Sequence, residues 1–125
     1  MESKNEKLLK AIQHLEEALL QYRNKKTELN FLTVSKAFET LVEYVWRLLK
    51  RIVEDEGLEA PSPKMAIKQA AKLHLISDPE KWLEAIEARN NSVHDYFGIS
   101  EQEYSELAKE FLNLVRGSKI FHSVD

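Results

Sequence analysis

The chain contains no cysteine. Disulfides are therefore excluded, and with them thiolate zinc sites and cysteine nucleophiles. Backbone breakers are scarce: 3 glycines and 3 prolines in 125 residues are too few for the many turns of a β-sandwich. Long apolar runs are missing as well, and no stretch approaches the roughly 20 residues of a membrane span. The N-terminus, MESKNEKLLK, lacks the apolar stretch of a secretory signal, so the expected location is the cytoplasm. The Asn90-Asn91-Ser92 sequon then carries no weight. Nor is there an excess of positive charge; a net charge of −3 argues against a general nucleic-acid coat. The four histidines, at 14, 74, 94 and 122, show neither i, i+4 nor HExxH spacing, so no metal and no cofactor is expected.

What is present reads as helix. The length suits one domain with a real core. Leu8, Ile12, Leu15, Leu19 and Tyr22 alternate by four and three, which predicts a first helix from about Glu6 to Lys26. Val34, Phe38, Leu41, Val45, Leu48 and Ile52 predict a second from about Leu32 to Glu56, stopped by Gly57. Ala60-Pro61-Ser62-Pro63 reads as a rigid connector to a short third helix over about Lys64 to Leu75. Asp78-Pro79-Glu80 supplies an N-cap, a first-position proline and a first-turn acid, opening a fourth helix that runs to about Tyr96. Gly98 closes it. Ser100-Glu101-Gln102-Glu103 is a capping box for a fifth helix whose inner face is Tyr104, Leu107, Phe111 and Leu114. These stripes predict an all-α fold: an up-and-down four-helix bundle with one short additional helix over residues 1–116, followed by a loose tail over 117–125. Trp46 and Trp82 are expected as core anchors.

One charge is out of place. On a wheel of about 100° per residue, Trp82, Ile86 and Val93 lie within roughly 60° of Arg89, with Ala85 and Tyr96 within about 40° on its other side. A guanidinium keeps its proton, so burial without a partner is costly. Either Arg89 snorkels outward, or it pairs with a core carboxylate such as Glu39 or Glu43, or its stripe faces a cleft or subunit interface where it meets an anion. His94 and Asn90 share the edge of that stripe, whereas Arg89 and His94 are about 140° apart. Convergence of those two on one small ligand is eased by a two-fold axis, which points to a homodimer with a composite site. Lys64, Lys68 and Lys72 recur one turn apart in a segment without acids. They form either a solvated face or a stripe that tracks phosphates.

The segment Arg89-Asn90-Asn91-Ser92-Val93-His94-Asp95-Tyr96 matches an R-x4-H-x-Y signature. With Phe38-Glu39, Trp46, Ser62-Pro63-Lys64 and Asp78-Pro79-Glu80-Lys81-Trp82-Leu83 before it, the chain resembles the HEPN superfamily. Within it, the chain resembles the nucleotidyltransferase substrate-binding members, some of which are HepT-like toxins of two-gene toxin–antitoxin systems. The resemblance spans about residues 5–116. It implies a helical bundle that dimerises through the motif region and a metal-independent ribonuclease with Arg89 and His94 as catalytic pair and Asn90 in support. It also implies a small cognate nucleotidyltransferase that silences the toxin by transferring AMP to Tyr96, with RNA, such as tRNA, as substrate. Under the subfamily's older name, the alternative is a non-catalytic subunit that presents substrate or nucleotide to a nucleotidyltransferase.

Overall fold

A computed structural model describes residues 4–91 and 100–120. They form five helices and, among the described residues, no strand: α1 Lys4–Asn24, α2 Glu28–Asp55, α3 Pro63–Lys72, α4 Pro79–Asn91 and α5 Glu101–Gly117. The central helix is α2, which packs against the other four. Around the bundle the long helices follow the order α1, α2, α4, α5, with α5 closing back on α1 and α3 lying across α2 and α4. The predicted all-α bundle with one short additional helix is therefore what the chain forms.

The apolar rhythm produces this packing directly. Leu8, Ile12 and Leu15 on α1, and Val34, Phe38, Leu41, Val45 and Leu48 on α2, are buried. Edge-to-face aromatic rings link the helices through the core. Tyr22 meets Phe31 at 5.8 Å, Phe31 and Phe38 each meet Tyr104 at 5.4 Å, Phe38 meets Phe111 at 5.7 Å, and Phe111 meets Trp82 at 5.4 Å. Such pairs contribute about 0.5–1.5 kcal/mol each beyond area burial. Trp82, 1% exposed, is the end of this chain of rings and ties α4 to α5.

The helix ends depart from expectation in three places. First, α2 starts four residues earlier than predicted. Thr27 is its N-cap, in extended backbone, with its side chain accepting from the Asn30 amide. Leu29 and Leu32 on that first turn are exposed, so the apolar stripe alone does not mark the turn as helix. Second, Asp78 precedes α4 with φ +51°, in the left-handed region that Asp tolerates better than most residues. Its carbonyl accepts from Lys81 and Trp82. Third, the chain past Gly117 does not come loose at once. Ser118 and Ile120 are buried, and the Lys119 amide donates to the Leu75 carbonyl at 3.1 Å.

Two helix ends share one solution. After α2, the Gly57 amide donates to the Glu54 carbonyl and Leu58 to Val53, with Gly57 at φ +87°. After α3, His74 donates to Ala71 and Leu75 to Ala70, with His74 at φ +60°. Both are Schellman ends, but in the second a histidine occupies the left-handed position that favours glycine.

Candidate functional site

Along α4, Trp82, Ala85, Ile86 and Ala88 are buried. Arg89 is the next residue on the same face, where α4 passes beside the middle of α2. Its side chain remains about a third exposed (34%). Its Nη2 donates to Glu43 Oε2 at 2.8 Å and its Nη1 to Asn90 Oδ1 at 3.1 Å. Of the three fates open to this guanidinium, pairing with a carboxylate is realised, and Glu43 is the partner. A groove open to solvent runs alongside, so the pair sits at its wall and is not sealed in the core.

Glu43 is a hub. Besides Arg89, its Oε1 takes Arg47 through Nε at 3.1 Å and Nη2 at 2.8 Å, and its Oε2 accepts from the Trp46 indole at 3.2 Å. One carboxylate thus fixes two guanidinia and an indole. Four charge-assisted bonds to this one carboxylate hold the three groups in defined places. Trp46, expected as a core anchor, is half-buried, with its ring against the core and its N–H spent on this carboxylate.

The groove has a volume of about 550 Å³, and it is walled by Lys36, Glu39, Thr40 and Arg47 of α2 together with Arg89 and Asn90 of α4. Three cations face two carboxylates, Glu39 and Glu43, so the lining is positive on a chain that is negative overall. That local balance suits an anion whose charge is spread over several oxygens, because a guanidinium presents paired donors in one plane. Lys36 and Arg47 were not singled out from the sequence. The signal that marks them is the polar stripe Lys36, Thr40, Glu43, Arg47, spaced by four, three and four on α2.

Arg89 and Asn90 are therefore brought together at the groove. His94 and Tyr96, predicted as the second catalytic residue and the modification acceptor, lie outside the described residues, as does the helix end at Gly98. Lys64, Lys68 and Lys72 are exposed along one side of α3, as their spacing predicts. No α3 residue lines the groove, so that stripe is a separate surface. Among the described residues no cluster of three or more histidine, aspartate or glutamate side chains could hold a metal, and no helix is long and apolar enough to cross a membrane.

The family model described as nucleotidyltransferase substrate binding protein like matches residues 3–119. That span includes all five helices and the whole Arg89 groove. A comparison with curated proteins gives no match.

Proposed function

From the premise that this chain belongs to the nucleotidyltransferase substrate binding protein like family, we propose that it is a HepT-like endoribonuclease, held in check by a cognate nucleotidyltransferase. The observation that carries this reading is the Arg89 guanidinium, about a third exposed and held by Glu43 at the wall of a positively lined groove. A phosphodiester entering there meets Arg89 flanked by Arg47 and Lys36. RNA cleavage without a metal needs a base for the 2′-hydroxyl and a fixed cation for the charge that builds on the phosphoryl oxygens. His94, five residues beyond Arg89, supplies an imidazole of suitable basicity.

In this reading the imidazole takes the 2′-hydroxyl proton and the 2′-oxygen bonds to phosphorus. The bond to the 5′-oxygen breaks, and that oxygen takes a proton from the imidazolium of a second copy. The products are a 2′,3′-cyclic phosphate and a 5′-hydroxyl. One catalytic histidine per chain makes the homodimer part of the mechanism. Silencing follows when the Tyr96 hydroxyl attacks the α-phosphate of ATP on the nucleotidyltransferase, releasing pyrophosphate. The AMP left on Tyr96 occupies the groove cations that RNA phosphate needs. The α3 lysines 64, 68 and 72 guide RNA toward the dimer from outside the groove.

A second reading is favoured by the family's description as substrate binding: a non-catalytic subunit that presents nucleotide or substrate to its nucleotidyltransferase. One experiment separates them. The purified chain is incubated with the cognate nucleotidyltransferase and ATP, then assayed for RNA cleavage and by mass spectrometry. The toxin reading predicts a one-adenylyl mass gain on Tyr96 and loss of cleavage, with Tyr96→Phe neither modified nor silenced. Stable complex formation without cleavage before or after ATP selects the second reading.

A further inference from the structure

On the side of the bundle opposite the Arg89 groove, α1 and α5 enclose a second furrow of about 480 Å³. Its floor is apolar: Leu19, Leu112 and Leu20, the last of which is 48% exposed. Its rim carries Arg23, Lys26, Lys109 and Arg116 against two carboxylates. Glu16 is spent on an ion pair with Arg116, and Glu106 accepts from Gln102. Arg23 and Lys109 have no ion pair among the described residues. The local sign of charge is again the reverse of the chain's −3.

Shape narrows the occupant. The lining runs from Gln102 to Arg116 on α5, about 21 Å of helix axis. A compact nucleotide fills one end of such a furrow and leaves the rest bare. The full length matches one face of a helix of about four turns. Single-stranded RNA stacks its bases on exposed rings, and the one ring here, Tyr22, is buried with its hydroxyl on Glu101. A second copy docked symmetrically sets the same cations against one another, which disfavours the pairing.

We infer that the α1/α5 furrow is a docking site for a helix of another protein, apolar along its seam and acidic along both flanks. Leucines of that helix cover Leu19 and Leu20. Its carboxylates meet Arg23, Lys26 and Lys109. The surface is independent of Arg89, so docking and the chemistry proposed for the groove occupy separate faces.

The probe is a synthetic helical peptide of 18 residues with leucine at every third or fourth position and glutamate on both flanks. Its binding to the full chain is followed by fluorescence anisotropy and by amide shifts. Binding is expected with shifts confined to α1 and α5, including Leu20. The double variant R23E/K109E alters exposed side chains only, and circular dichroism confirms its fold. It is expected to bind at least about tenfold more weakly and to recover affinity for a lysine-flanked version of the peptide. No binding, equal affinity for the variant and the native chain, shifts at the Arg89 groove instead, or displacement of the peptide by a single-stranded RNA oligonucleotide each overturns the inference.

Discussion

Replacing Glu43 dismantles the candidate site from its centre. The carboxylate bonds Arg89 at 2.8 Å, Arg47 at 2.8 and 3.1 Å, and the Trp46 indole at 3.2 Å. Both members of the Arg89–Glu43 pair keep about a third of their side-chain surface in water, so the pair is worth about 0.2–1 kcal/mol, the range of solvent-screened bridges. The i, i+4 bond to Arg47 adds about 0.3–0.5 kcal/mol, and the indole bond about 1 kcal/mol. Glu43→Ala should therefore cost roughly 2 kcal/mol in denaturant unfolding, because it also leaves two guanidinia facing each other. Glu43→Gln keeps an acceptor for the indole and should cost about half as much. A double-mutant cycle of Glu43→Gln with Arg89→Gln is expected to show a coupling of about 0.5–1 kcal/mol, shrinking at high salt. A coupling indistinguishable from zero at low salt, with Glu43→Ala costing under about 0.5 kcal/mol, refutes the hub.

Three further outcomes follow from the fold. His74→Gly relieves a left-handed histidine at the Schellman end of α3 and should stabilise the chain by about 0.5–1 kcal/mol, raising the Tm by a few degrees; an unchanged or lower Tm contradicts the strain. Trp82→Ala removes the buried ring packed edge-on to Phe111 and should cost about 3–5 kcal/mol, read as a shift in urea midpoint. Burial, and then the bond and the charge of Glu101, hold the Tyr22 hydroxyl above its ordinary 10.0. A folded value above the unfolded one gives stability that is present below pH 10 and lost as pH rises through the folded value. Tyr22→Phe should therefore lose less stability than the native chain across that alkaline window; parallel pH curves for the two count against the cause.

Helix content and the core were legible in the sequence because a continuous stripe at period 3.6 has one physical reading. Leu8, Ile12, Phe38, Leu41 and Phe111 are buried where that stripe puts them. The capping box also formed as written, with the Glu103 amide on Ser100 Oγ and the Ser100 amide on Glu103 Oε1. Boundaries set by tertiary contacts were not legible. Exposed Leu29 and Leu32 blur the start of α2, and nothing local says that Ile120 is buried or that the Lys119 amide finds the Leu75 carbonyl. Asp78 shows a similar limit, since a good cap residue gives no sign of whether its backbone is extended or left-handed. At the site, helix arithmetic singled out Arg89 and left its fate open, with a core carboxylate such as Glu39 or Glu43 as one possible partner. It could not choose between them, because their angular difference is small and the choice depends on how far α4 slides along α2. Lys36 and Arg47 escaped notice for a different reason: on α2 alone they are ordinary solvated charges, and only the neighbouring helix turns them into groove lining.

The claim at the centre is that the Arg89 guanidinium in this groove stabilises charge on a scissile RNA phosphate. It is tested most directly by incubating the purified chain with tRNA in EDTA, beside Arg89→Ala and His94→Ala variants whose folding is confirmed by circular dichroism. Cleavage by the native chain with 2′,3′-cyclic phosphate ends, reduced at least about a hundredfold in both variants, is the predicted result. Cleavage that survives in either variant, or none at all from a native chain free of adenylylation, contradicts it.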